Sequence, residues 1–220
     1  MTLDEEKKLA AKAAVAEVAD GMLVGLGTGS TAAHAVAALA GRRITAVATS
    51  EATATAARAA GIRVLDFADI ARCDLAIDGV DEIDARLWAI KGAGGAMLRE
   101  KAVAASAARM IAIGDSTKRV AAIGAAKLPV EVLPFARSFV VAALEALGAK
   151  VALRDSYRTD NGNLVADCRF AAMPDPKALA AAIDAIPGAL GHGLFLTEID
   201  AAYLASGSVV TRLERDRSSR

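Results

Sequence analysis

The sequence predicts an α/β protein: a Rossmann-like domain built on a parallel sheet, joined to a smaller ferredoxin-like α+β domain. Strand-length apolar segments alternate with helix-length segments through the first half of the chain, the rhythm of β–α–β units with right-handed crossovers. Beyond Lys127 the order becomes strand, helix, strand, strand, helix, strand, which is the split β–α–β arrangement. With 55% hydrophobic and 24% charged residues over 220 positions, the chain has core material for one large or two small domains and reads as globular.

Residues 4–18 read as a surface helix, with Leu9, Val15 and Val18 on its apolar side and Lys7, Lys8 and Lys12 outside. Residues 22–26 form a short apolar strand that runs into Gly27-Thr28-Gly29-Ser30-Thr31 and an alanine-rich helix to about 40. Strands at 44–48 and 62–65 flank a helix at 51–60, and a fourth strand, 75–77, ends at Asp78. A helix at 97–107 and a strand at 110–113 continue the alternation. Many helix faces are largely alanine, which blurs the apolar period and the element boundaries.

In the second unit, residues 129–133 predict a strand, 136–147 a helix and 150–154 a strand. Asp160-Asn161-Gly162-Asn163 signals a hairpin turn into a strand at 164–170, followed by a helix at 176–186 and a strand near 190–195. From about Leu196 the chain returns with an apolar stretch, 201–204, and a charged end, 212–220, that is expected to fray. These readings assign residues 1–125 and 196–220 to the Rossmann-like domain and 126–195 to the ferredoxin-like one.

Twenty-six basic and twenty-six acidic side chains cancel, which argues against nucleic acid or a membrane surface as partner, since either needs a net basic field. Any anion site must therefore be local. The first twelve residues carry charges at helical spacing, and no apolar run reaches about 18 residues, so neither a signal peptide nor a membrane span is expected. Cys73 and Cys168 lie far apart in apolar surroundings and read as buried free thiols, which fits the cytoplasm. Two histidines, His34 and His192, without ligand spacing support no metal site and read as structural.

Four polar segments sit where predicted strands end, the place where open parallel sheets bind ligands. In 25–31 (GLGTGST) glycines allow a tight turn, and Ser30 or Thr31 can cap the helix. The segment lacks the third glycine of a dinucleotide fingerprint and the lysine of a nucleotide P-loop, leaving an anion cradle or simply a tight capped turn. In 78–84 (DGVDEID) four carboxylates fall within seven residues, where like charges raise one another's pKa. Either a solvated acidic loop results, or Asp78 and Asp81 face one polyol together. The segment 91–96 (KGAGGA) leads a lysine into a second glycine turn ahead of a helix. Glu100 in that helix, taken alone, reads as a surface glutamate, and Lys118 in 114–118 (GDSTK) as a surface lysine. Thr49-Ser50-Glu51 most simply caps a helix, with bordering the pocket as the alternative.

In combination, GLGTGSTA (25–32), DGVDEID (78–84), KGAGGA (91–96), REK (99–101), GDSTK (114–118), LPVEVLPFA (128–136) and TDNGN (159–163) resemble the ribose-5-phosphate isomerase A family. The order and spacing match to about Phe195; Ala93 stands where the family more often has glycine, a change expected to be tolerated. The resemblance implies an aldose–ketose isomerase of the pentose phosphate pathway that uses no metal and no organic cofactor. It implies Glu100 as catalytic base, with Asp78, Asp81 and Lys91 at the reacting end. Substrate binding is implied for Thr28, Gly29, Ser30, Thr31, Asp78, Gly79, Val80, Asp81, Lys91, Gly92, Ala93, Gly94 and Lys118. Its implied partner is a small sugar phosphate, and its implied assembly a homodimer or homotetramer. Related architectures host sugar-phosphate deaminases, CoA transferases and transcription regulators. Glu100 lacks the context of a covalent CoA-transferase carboxylate, and the chain shows no basic N-terminal DNA-binding domain.

Overall fold

The computed structural model describes residues 1–216. Fourteen strands and six α-helices follow one another as α1 (Leu3–Val15), β1 (Leu23–Leu26), α2 (Ser30–Ala38), β2 (Thr45–Ala48), α3 (Glu51–Ala59), β3 (Arg63–Val64) and β4 (Leu75–Gly79). Next come β5 (Glu82–Ile83), β6 (Ala89–Ile90), α4 (Met97–Ser106), β7 (Met110–Gly114), β8 (Leu128–Val132), α5 (Arg137–Ala146) and β9 (Ala149–Leu153). The described chain ends with β10 (Leu164–Phe170), α6 (Pro176–Asp184), β11 (Ala189–His192), β12 (Leu194–Phe195), β13 (Ala201–Ser206) and β14 (Val209–Glu214).

The main sheet has the order β14-β13-β7-β4-β1-β2-β3, and every pair in it except β13–β14 is parallel. A parallel sheet must be covered on both faces. Ala10, Ala11, Ala14 and Val15 of α1, Ala35 and Val36 of α2 and Ala57 of α3 cover one face, while Val103 and Ala104 of α4 cover the other. The register sets the carboxyl ends of three central strands side by side, Leu26 against Ile77 and Gly79 against Ile113. Three of the four polar segments singled out by sequence, 25–31, 78–84 and 114–118, leave the sheet at that edge, and the fourth, 91–96, follows β6.

A second, antiparallel sheet has the order β11-β8-β10-β9, the strand order of the ferredoxin-like arrangement. Val140 and Leu144 of α5 and Leu179 and Ile183 of α6 pack into its own core. Between the two lies a small three-stranded sheet, β12-β6-β5, which the sequence reading did not contain. Its strands are two residues long, too short to show alternation. The single strand expected near 190–195 is in fact two. Gly193 donates to the Pro129 carbonyl and accepts from the Lys91 amide, so the chain leaves one sheet for the other at that residue and fixes the backbone of Lys91 as it does so.

The returning tail is more ordered than its charge suggests. The apolar stretch becomes β13, paired in parallel with β7, and β14 takes up residues expected to fray. Within it Glu214 accepts from Arg109 at 2.7 Å and pairs with Arg212 at 2.7 Å. Residues 217–220 of the expected frayed end lie outside the described residues. Cys73 and Cys168 are buried free thiols. His192 is buried, with Nδ1 accepting from the Leu194 amide at 3.1 Å, and burial, seconded by the Lys101 charge, pulls its pKa down to about 4. His34 binds Asp4 at 2.9 Å, tying α2 to α1.

Candidate active site

The three central strand ends and the two glycine turns enclose a cavity of about 180 Å³. One wall is the turn before α2. Gly29 is the N-cap of this helix, at φ +109°, where an L side chain is strained, and no side chain caps the first amides. Ser30 and Thr31 therefore do not cap it, contrary to expectation. The uncapped amides and the positive end of the helix dipole remain available to an anion. Thr28, Gly29, Ser30 and Thr31 all line the cavity. The Thr28 hydroxyl is held from behind by Thr49 at 2.8 Å and Ser50 at 2.9 Å. Ser50 also caps α3 by accepting from the Thr53 amide at 3.1 Å, so the Thr49-Ser50 pair both caps a helix and borders the site.

Lys118 reaches the cavity from the turn after β7, and Lys7 from α1. Sequence reasoning placed Lys7 on the outside; its Nζ instead donates to Ser30 Oγ at 3.1 Å. What places it there lies one residue earlier. Glu6 is buried, and its carboxylate accepts from Ser116 N at 2.9 Å and Gly207 N at 2.7 Å. A glutamate spent on two loop amides pins the first turns of α1 across the sheet edge and delivers the next side chain into the site. A lone glutamate on a charged helix gives no hint of this.

At the inner end, Lys91, 2% exposed, lies between two buried carboxylates. Its Nζ stands 2.8 Å from Asp78 Oδ2 and 3.3 Å from Glu100 Oε2, and donates to the Gly79 carbonyl at 2.5 Å. Asp78 Oδ1 accepts from the amides of Gly79 at 2.7 Å and Thr28 at 3.1 Å. Asp78 thus spends both oxygens on protein donors and sits behind Lys91, whereas Gly79, Val80, Asp81, Lys91 and Glu100 line the cavity itself. Asp81 is partly exposed, with Oδ2 accepting from the Ala93 amide at 2.9 Å. Gly92, Ala93 and Gly94 complete the rim. Ala93 is not among the residues with positive φ, so its Cβ costs the turn nothing.

The remaining two carboxylates of the acidic segment do other work. Glu82 accepts from Gly124 N and Ala126 N, each at 2.7 Å. Asp84 accepts from Arg86 N at 2.8 Å and Trp88 N at 3.2 Å. Both are turn anchors, Glu82 held by backbone donors and Asp84 by its turn amides together with the Arg86 guanidinium at 2.6 Å.

The electrostatics separate the two inner carboxylates. Burial pushes the Asp78 carboxyl up, against the Lys91 charge and its hydrogen-bond donors. Burial and then the Asp78 charge push Glu100 up to about 8, with Lys91 opposing. Glu100 Oε2 has no donor at hydrogen-bond geometry among the described residues. Burial alone pulls the Lys91 pKa down, yet the charges of Asp78 and Glu100 outweigh it and hold the ammonium above the ordinary lysine value. A poised carboxyl, a fixed cation and a polar cleft suit proton transfer at a carbon whose neighbour carries developing negative charge. Among the described residues no group of three His, Cys, Asp or Glu side chains is placed to hold a metal ion, and no helix is long and apolar enough to cross a membrane.

Comparison with known proteins agrees along the chain. The family model described as ribose 5-phosphate isomerase A (phosphoriboisomerase A) matches residues 45–208. The ribose-5-phosphate isomerase A of Sphingopyxis alaskensis is 52% identical over 214 residues, covering 93% of this chain and 94% of its own. That of Thermomicrobium roseum is 45% identical over 99% of this chain and 97% of its own. The crystal structure of ribose 5 phosphate isomerase A from Neisseria gonorrhoeae superposes with a TM-score of 0.94 at 34% identity, covering 98% of this chain and 99% of that one. A D-ribose-5-phosphate isomerase in complex with phospho-erythronic acid superposes equally well, with a TM-score of 0.94 at 32% identity, over 98% of this chain and all of that one. The chain is an enzyme of the ribose 5-phosphate isomerase A family.

Proposed function

We propose that this enzyme interconverts D-ribose 5-phosphate and D-ribulose 5-phosphate through a cis-enediolate, with Glu100 as the base, as a step of the pentose phosphate pathway. The observation that carries the reading is the Glu100 carboxyl: buried, poised near neutrality, and facing a polar cavity beside a fixed ammonium. The phosphate sits among Lys7, Ser30, Thr31, the uncapped α2 amides and Lys118, which leaves the carbonyl end at Lys91 and Glu100. Glu100 takes the C2 proton of the open-chain aldose and returns it to C1, one carboxylate working on one face. Lys91 supplies positive charge where the enediolate oxygens develop theirs. Asp81, rooted through one oxygen on the Ala93 amide, handles the hydroxyl proton. Asp78 holds Lys91 charged and in place.

The direct test is conversion of ribose 5-phosphate followed as ribulose 5-phosphate, with and without a chelator. Turnover is expected at the same rate in both; loss with chelator would remove the metal-free part of the reading, and absence of turnover all of it. We carry forward a cytoplasmic homodimer or homotetramer as part of the proposal. Phe135 at 97% and Phe139 at 59% exposed support it, because a monomer gains nothing from two bare aromatic rings, one in the turn before α5 and one in its first turn. Light scattering of the purified chain is expected to give twice or four times the chain mass, and a monomer would refute it.

A further inference from the structure

The glycine turn at the rim is held from outside by the antiparallel sheet. Arg154 leaves β9 and donates through Nη1 to the Ala93 carbonyl at 2.9 Å and, more weakly, through Nη2 to the Gly92 carbonyl at 3.4 Å. Tyr157 donates its hydroxyl to the Gly94 carbonyl at 2.8 Å. Three successive carbonyls are thus drawn toward one strand–turn segment. In a planar trans peptide the carbonyl and the following N–H point in opposite directions. Drawing the Gly92 carbonyl outward aims the Ala93 N–H inward, and that N–H meets Asp81 at 2.9 Å. Drawing the Ala93 carbonyl outward turns the Gly94 N–H to the same inner side, where the cavity lies. Tyr157 is also seated directly on the turn: a Cβ on Gly95, itself at φ +85°, would lie 2.2 Å from the Tyr157 hydroxyl oxygen. The guanidinium is aimed by Asp167, whose oxygens accept from Nη2 at 2.7 Å and Nε at 3.0 Å.

We infer that Arg154, seconded by Tyr157, is a positioning residue for the isomerisation. It sets the peptide orientation of the 92–94 turn, so that one amide holds Asp81 and the next faces the substrate, although neither side chain lines the cavity. The inference rests on the function proposed above. Its test is chosen so that the two fail separately.

Arg154→Met keeps the apolar stem and leaves Asp167 paired with Lys127 at 2.5 Å, so the fold retains its charge balance there. With it, KM for ribose 5-phosphate is expected to rise roughly tenfold, the loss of a charge-assisted hydrogen bond, with kcat falling severalfold as Asp81 loosens. Arg154→Lys restores one donor and is expected to recover part of the KM. Tyr157→Phe removes only the hydroxyl and is expected to raise KM two- to threefold. Hydrogen exchange at the amides of 93–95, measured without substrate, is expected to quicken in Arg154→Met, a readout that does not require activity. If the parent isomerises ribose 5-phosphate while the Arg154 variants keep its KM within twofold and its exchange rates, the positioning role is overturned. If the parent does not isomerise but exchange still quickens, the proposed function fails and the clamp stands.

Discussion

Replacing Glu100 by Gln is expected to lower kcat for ribose 5-phosphate by about 10²- to 10⁴-fold, the scale of a lost general base, while KM moves less than tenfold. The amide keeps the shape and burial of the side chain, and the proposed phosphate grip lies at the other end of the cavity. In its proposed role the same carboxyl sets the pH profile of the parent. A base must be unprotonated, and the pKa of Glu100 is pushed up to about 8; kcat/KM is therefore expected to rise with pH through neutrality and level off above about 8. The substitution carries a further signature that needs no substrate. In the folded chain Glu100 holds its proton more tightly than the ordinary value of 4.5 allows in the unfolded chain. Its contribution to stability is fully present below about 4.5 and is lost as pH rises toward about 8. That falling slope is expected in thermal melts of the parent and should be absent in Glu100→Gln. A variant with near-parental turnover would remove Glu100 from its role, whatever the melts show.

The alternation of strands and helices was legible because each strand of the main sheet is a short apolar run bracketed by turn residues, and parallel topology follows from alternation alone. The ferredoxin-like half was legible for the same reason, with the Asp160–Asn163 turn marking its hairpin. What escaped were elements whose evidence lies in pairing rather than pattern: β5 and β6, two residues each, pair with one another, and β12, also two residues, joins β6 after the crossing at Gly193. In the site, the acidic segment announced itself, but which of its carboxylates meet the cavity depended on where backbone amides from distant loops arrive. Glu82 is consumed by residues 124 and 126, and Asp84 by its own turn. Glu100 looked like a surface glutamate because helix position says nothing of the strand ends above it. Lys7 was unreadable for a similar reason: its place is decided by Glu6 and a loop more than a hundred residues away.

Lys91→Met should damage both stability and turnover, and by more than the loss of one electrostatic contact. The cation separates two buried carboxylates, 2.8 Å from one and 3.3 Å from the other. Removing it leaves Asp78 Oδ2 and the Gly79 carbonyl without their donor, and breaking a buried pair this way costs about 3–5 kcal/mol. It also removes the term that opposes the rise of the Glu100 pKa. The proposed base is then protonated even more completely at neutrality, on top of the lost charge at the proposed enediolate, which alone is worth about 10²- to 10³-fold. Part of that deficit should return between pH 7 and pH 9, because ionising Glu100 repairs one of the two defects and not the other. The coupling predicts a double-mutant signature as well. In a background already carrying Glu100→Gln, Lys91→Met strips the ammonium from one carboxylate instead of two, so its stability cost should shrink, and activity should fall little below that of the slower single variant. Strict additivity of the two substitutions in thermal melts and in kcat/KM would mean that Lys91 and Glu100 act independently, and the coupling between the buried ammonium and the Glu100 carboxyl would have to be abandoned.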